Sequence, residues 1–391
     1  MNYTSLSLFV VSVIALGFLF SAPSILPADK TARTTPSTES VATHSEVAEP
    51  APLKLPRELV QVLGWIPYWD QEIAVSTFKE NVDIFDFISL FWYRIDSEGE
   101  LVAYRTAKID RSIIEFAREH DVKVFVLVAN LPDYPEGGDW DYKRVDRVIS
   151  TAEARTYHVN ELVALVEELD VDGINIDYEA LRKYQRDNFT KFIEELSVAL
   201  HADGKLLGVA LHPKTSENNP AESNGSEAQD WSALYPFVDQ MQLMTYGEHY
   251  LKSHPGPIAS INWIDEVLNY AVGTVGIPLE KVFMGIPLYA QEWYQDTQNS
   301  YIGIDQDVTH SKLAEIVSRY NISEKWDLEF KSPYITYTKR EKKHVVWFEN
   351  SESFAGKLDL AQTYQIRNFA FWRLGGEDKQ VWEILRTELR K

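Results

Sequence analysis

Eight short apolar runs recur along the chain: 62–69 (VLGWIPYW), 85–92 (FDFISLFW), 122–129 (VKVFVLVA), 171–178 (VDGINIDY), 205–211 (KLLGVAL), 238–246 (VDQMQLMTY), 281–289 (KVFMGIPLY) and 366–372 (IRNFAFW). Helical periodicity fills the stretches between them, most clearly at 110–120, 153–169, 185–202 and 261–270. Several of the runs are apolar nearly throughout, the pattern of parallel strands covered on both faces. Repeated strand-plus-helix units predict an α/β fold, a closed (β/α)8 barrel. The alternative is an open doubly wound sheet, but no G-x-G-x-x-G fingerprint follows the first run. The gap between the seventh and eighth runs is too long for one helix. Its helix pattern and short strand-like pieces predict a small α+β insertion at about 294–362, and a last helix (KQVWEILRTELR) closes the barrel.

Ahead of the barrel, expected over 59–391, the pattern changes twice. Residues 6–20 (LSLFVVSVIALGFLF) are continuously apolar, at the upper length of a signal-peptide core of roughly 7–15 residues and short of the ~20 that span a bilayer. A cleaved export signal and a retained anchor, within 1–27, both fit. Residues 28–58 are rich in Thr, Ser, Pro, Ala and Glu, which reads as a disordered linker. Export to the cell exterior or envelope is therefore expected, with any membrane contact confined to the N-terminal segment.

One run breaks the apolar pattern. In DGINIDYE (172–179) the alternate residues Asn175, Asp177 and Glu179 are polar, while Ile174, Ile176 and Tyr178 are not. A strand sends alternate side chains to opposite faces, so the polar set shares one face. In a barrel that face is the interior, climbing toward the C-terminal mouth where active sites lie. Unpaired carboxylates cost several kcal/mol to bury, so a catalytic use outweighs a self-satisfied polar ladder. A charged Asp177 beside Glu179 favours the protonated form of Glu179.

Composition narrows the partner. The net charge of −21 excludes nucleic acid and favours a neutral ligand. The chain has no cysteine, hence no disulfide, thiolate metal site or cysteine nucleophile. His212, His249 and His254 lack metal-motif spacing, and neither a metal nor a cofactor is expected. Eleven Trp and 20 Tyr imply an aromatic core, rings lining a cleft, or both.

DGINIDYE resembles the D-x-x-D-x-D-x-E signature of glycoside hydrolase family 18, the chitinases and their relatives. Asp172, Asp177 and Glu179 match, and Asn175 stands at the second aspartate. That departure is shared with a branch of spore-cortex and peptidoglycan N-acetylglucosaminidases. QLMTYG (242–247) resembles the family's Q-x-M-x-Y-D with Gln242, Met244 and Tyr246 in place, GIPLYAQEW (285–293) its seventh strand, and FWRLGGED (371–378) its eighth.

The resemblance implies retaining, substrate-assisted hydrolysis of a β-1,4 bond beside N-acetylglucosamine, with Glu179 as acid and base, Asp177 holding the acetamido N–H and Tyr246 donating near the acetamido oxygen. It places Trp372 beneath the sugar. Gln242 and Met244 are the motif's other candidates for substrate binding. Trp69, Tyr93, Tyr289 and Trp293, near strand ends, are candidates for stacking on sugar faces, although ordinary core packing explains them equally. Asn175 is expected to donate an amide hydrogen bond to Asp177. The implied partner is an N-acetylated polysaccharide, chitin oligomers or peptidoglycan glycan, acted on by a monomer. A non-catalytic, lectin-like glycan binder on the same fold is the competing reading; the presence of Glu179, Asp177 and Tyr246 together disfavours it.

Overall fold

In the computed structural model, which describes residues 60–217 and 225–389, eight parallel strands close into a barrel. They are β1 (Gln61–Pro67), β2 (Phe87–Ile95), β3 (Lys123–Ala129), β4 (Gly173–Asp177), β5 (Leu206–Leu211), β6 (Gln240–Leu243), β7 (Val282–Pro287) and β8 (Asn368–Trp372). Each pairs with the next, and β1 completes the ring by pairing with both β8 and β2, at Gln61↔Asn368 and Leu63↔Phe87. The expected (β/α)8 barrel is therefore the fold. The stretches read as a signal peptide or anchor (1–27) and as a linker (28–58) lie outside the described residues. Among the described residues no helix is long and apolar enough to cross a membrane.

Two apolar layers hold the ring. Inside it, Leu63, Trp65, Phe87, Phe91, Phe125, Leu127 and Phe283 are buried against one another. Outside it, the opposite strand faces pack under the helices, with Ile88, Val124, Ile174, Ile176 and Val209 fully or almost fully buried. Each such side chain contributes about 1.5–3 kcal/mol by leaving water. The helix Ala152–Leu169, which leads into β4, starts at Thr151, whose hydroxyl accepts from the Ala154 N–H. It stops at Asp170, in the left-handed conformation at φ 53°.

The run read as a strand over 238–246 is a strand only from Gln240 to Leu243. Beyond it the Met244 N–H still donates to the Leu211 carbonyl, but the Thr245 hydroxyl then donates to the Gly285 carbonyl of β7 and the Tyr246 N–H folds back on the Met244 carbonyl. Between β7 and β8 sits a five-stranded antiparallel sheet in the order Tyr301–Val308, Ala290–Gln295, Lys342–Trp347, Ser332–Lys339, Lys325–Asp327. The helix His310–Tyr320 packs on it through Leu313. The helix Ser351–Thr363 that follows returns the chain to β8.

Candidate active site

β4 separates its two faces as the alternation demands. Ile174, Ile176 and Tyr178 are fully buried on the helix side, where the Tyr178 hydroxyl meets Nε2 of His158 at 2.7 Å. Burial pushes the His158 pKa down to about 3, so its ring is neutral. Asn175 and Asp177 point into the barrel, 0% and 5% exposed, and the Glu179 side chain reaches the rim at 16%. Asp172 is elsewhere: at the opposite end of β4 its carboxylate accepts from the Val124 N–H at 2.8 Å, tying β4 to β3.

Glu179 lies beyond the last residue of the strand, and a side chain replaces the missing ladder. Asn130, fully buried just after β3, donates from Nδ2 to the Glu179 carbonyl (2.9 Å) and accepts from its N–H (2.8 Å). On the other flank Gln229 donates to the Tyr178 carbonyl and accepts from the His212 N–H at 2.8 Å. Two amides thus extend the β3–β4–β5 pairing by one step, past the point where the backbones diverge. Ala180 then turns the chain away at φ 55°, a left-handed conformation costing alanine roughly 1–2 kcal/mol. Substitution Asn130→Ala should lower kcat about tenfold to a hundredfold while KM moves little. A misplacement of 1 Å at a reacting group costs up to about 10²-fold. Steady-state kinetics on an N-acetylglucosamine oligomer, with a thermal melt as folding control, checks it.

The amide bond expected from Asn175 to Asp177 is not made. The Asn175 oxygen is held by two donors from β1 and β2, Trp65 Nε1 and Ser89 Oγ, each at 2.9 Å. These fix the amide's orientation. Its Nδ2, like Oδ1 of Asp177, is buried without a hydrogen-bond partner among the described residues. Asp177 therefore keeps a free acceptor directed into the interior.

Burial raises both carboxyls. The Asp177 pKa is pushed up to about 7. Glu179 is pushed further, by burial first and then by the charges of Asp177 and Asp139. Both shifts favour a proton held by the pair, and the Asp177 charge adds to burial in opposing ionisation of Glu179. Tyr246 is raised by burial and by Tyr289, Asp177 and Glu179, so it remains a protonated donor. Its ring meets Tyr289 edge-on at 6.4 Å. Gly285 makes room for it: a Cβ there would stand 2.9 Å from Cε1 of Tyr246.

Trp372, half-buried at the end of β8, packs edge-on against Trp65 (5.9 Å) and Trp69 (6.1 Å). Trp69 is 41% exposed, and its Nε1 donates to Asp307 of the inserted sheet. Asp307 also accepts from the buried Arg373, next to Trp372. The insertion is thus bonded to the aromatic side of the mouth.

Three expected contacts are corrected. Tyr93 turns away from the cleft. A bulge in β2 between Phe91 and Tyr93 breaks the alternation, Phe91 takes the inward place, and Tyr93 packs on the helix side within the field of Glu168 and Arg111. Trp293 is fully buried in the inserted sheet beside Val345 and Trp347 and has no face to offer a sugar. Gln242 is likewise fully buried, donating to Gln240, so it supports the floor without touching the cleft. Met244 and Tyr289 are mostly buried, 7% and 8% exposed.

Sequence reasoning missed Asn130, Gln229 and His212. His212 follows β5 directly, and its Nε2 stands 3.4 Å from Oε2 of Glu179. Asn130 and His212 carried a usable signal, each being the first polar residue after an apolar run. In a barrel that position is the mouth.

The sequence profile described as "Glycosyl hydrolases family 18" matches residues 114–377. An uncharacterized glycosylase, YvbX, of Bacillus subtilis (strain 168) is 30% identical over 281 residues, covering 70% of this chain and 77% of that protein. The cortical fragment-lytic enzyme of the same organism is 26% identical over 312 residues, covering 79% and 69%. Among solved structures, the chitinase from Chromobacterium violaceum ATCC 12472 superposes with a TM-score of 0.74 at 25% identity, covering 85% of this chain and 99% of that one.

Proposed function

Because the chain belongs to glycosyl hydrolase family 18, we propose that it cleaves β-1,4 bonds beside N-acetylglucosamine with Glu179 as acid and base and the substrate's own acetamido group as nucleophile. Its activity class is that of a glycosidase on N-acetylglucosamine-containing glycans. The observation that carries the mechanism is the free, buried Oδ1 of Asp177 beside a Glu179 that keeps its proton. A structural carboxylate this deep would be hydrogen-bonded. An acceptor left open suits a ligand N–H.

The steps follow from these groups. Asp177 accepts the acetamido N–H and turns the acetamido oxygen toward C1. That oxygen attacks C1 as the glycosidic bond breaks, and the Glu179 proton passes to the departing oxygen. The resulting oxazolinium ion keeps its positive charge beside Asp177. Glu179, now a carboxylate, takes a proton from water as the water attacks C1. The C1–O bond of the oxazolinium ring breaks and its electron pair returns to the acetamido oxygen, so the neutral acetamido group and the acid are restored with net retention. Tyr246, a donor at all working pH values, hydrogen-bonds the acetamido oxygen. Trp372 supplies the apolar floor, and Trp69 a ring for stacking further out.

For substrate we take peptidoglycan glycan over chitin. The cortical fragment-lytic relative and the asparagine at position 175 support that choice. So does the apolar N-terminal segment with its Ser/Thr/Pro-rich linker, which fits an exported protein acting at the cell envelope. Mass spectrometry of products from purified peptidoglycan and from chitin oligomers tests the reading. Muropeptide-sized fragments from the first polymer are expected, at a higher rate than any chitin cleavage. A preference for chitin would overturn the substrate choice, and inertness toward both would overturn the mechanism.

A further inference from the structure

His212 stands apart from every residue given a role above. It is 5% exposed, just past β5, and its Nε2 lies 3.4 Å from Oε2 of Glu179 without a hydrogen-bond partner among the described residues. Its backbone N–H is fixed by Gln229, and a Cβ on Gly225 would come within 3.0 Å of its Cδ2, so the ring is held from behind. A buried imidazole nitrogen aimed at a carboxyl oxygen is expensive unless the two interact. Catalytic hydrogen bonds are often long before substrate binds and tighten in the complex.

We propose that His212 is a positioning residue for the acid, presenting Nε2–H to Oε2 of Glu179 so that the proton is carried on Oε1, toward the leaving oxygen. The inference rests on the reading of Glu179 as acid and base. Its physical content lies in the second half of the cycle. When Glu179 gives up its proton, a carboxylate is left in a buried site beside Asp177. Asn175 cannot ionise to relieve it, and its amide nitrogen makes no bond to either carboxyl. His212 can supply a donor there, its Nε2 standing 3.4 Å from Oε2 of Glu179. Burial pushes its own pKa down to about 4, so the ring is neutral and works as a dipole, not as a second charge. The titratable groups acting on Glu179 are Asp177, at the end of β4, and Asp139, from the loop after β3, and Tyr289, beyond β7, lies within its field. Asp139 is paired with Lys252 at 2.7 Å. Tyr246, beyond β6, lies within the field of Glu179 and keeps its proton. The residues holding His212 from behind, Gln229 and Gly225, do not ionise.

An N–H donor favours the ionised form of its carboxyl, so removing it raises the proton affinity of Glu179. The test compares pH profiles of kcat/KM for wild type, His212→Leu and His212→Gln on an unmodified N-acetylglucosamine oligosaccharide, whose sugar leaving group needs the proton. The leucine variant is expected to move the alkaline limb up by about one pH unit and to lower kcat about tenfold. Glutamine, which keeps a donor, is expected to hold the limb near wild type. Identical limbs in all three proteins would overturn the proposal, whatever happens to kcat. In case leucine does not fold, the ring resonances of isotope-labelled His212 are followed against pH in the wild type and in Glu179→Gln. An inflection present in the first and absent in the second supports contact; the same titration curve in both overturns it. Should Glu179→Gln retain wild-type hydrolysis, the acid assignment itself fails, an outcome distinct from failure at His212.

Discussion

Glu179→Gln is expected to lose about 10³-fold in kcat on a natural oligosaccharide, with KM changed by less than a few-fold. Glutamine keeps the shape and the Asn130 clamp, which acts on the backbone, but it carries no proton to give. General acid catalysis contributes about 10²–10⁴-fold. The size of the loss should follow the leaving group. A sugar hydroxyl is a poor leaving group and needs the proton. A fluorogenic phenol leaves far more readily, so its release should suffer much less. Equal losses on both would mean that Glu179 does something other than protonate the leaving oxygen.

The same variant has a stability signature of defined sign. The Glu179 pKa is raised in the folded protein. Below the unfolded value of about 4.3, both states are protonated and the group contributes nothing. Above it, the unfolded chain ionises while the fold retains the proton, so stability declines as pH climbs toward the folded pKa. Glutamine removes that penalty. Thermal melts should show Glu179→Gln at least as stable as wild type at pH 8 and no different at pH 4.

How far the residues themselves announced this site depends on how local each determinant is. The inward set on β4 was legible because strand alternation is a property of the strand itself, and Ile174, Ile176 and Tyr178 all pack into the apolar layer under the helices. Tyr93 was misplaced by a single bulge, a feature set by how β2 pairs with β3 and not by the composition of β2. Trp293 reads as a strand-end aromatic, but its strand leaves the barrel and enters the inserted sheet, where Val345 lies opposite. Asn175 was misassigned for a similar reason. Which way an amide faces is decided by its partners, and Trp65 and Ser89 arrive from strands more than 80 positions earlier in the chain. Asn130 holds Glu179 across 49 positions. Such side-chain-to-backbone pairings leave no periodicity to read.

Asp177→Asn should cost about 10²–10³-fold in kcat, the scale for removing one preorganised group that stabilises charge in a transition state. The amide oxygen still accepts the acetamido N–H, so binding is retained in part. What is lost is the negative charge facing the oxazolinium ion. A second effect separates this variant from a merely disruptive one. In the wild type, Asp177 helps hold the proton on Glu179, second only to burial among the causes. With an amide at 177, that contribution disappears while burial and Asp139 remain. The alkaline limb of kcat/KM should therefore move to lower pH, opposite in direction to His212→Leu. The two variants act on one carboxyl from two strands, so the double variant should return the limb toward its wild-type position even though its kcat is lower than either single variant's. A limb that stays put in Asp177→Asn would mean that the two carboxyls do not share a field, and the case for a paired site on β4 would fall with it.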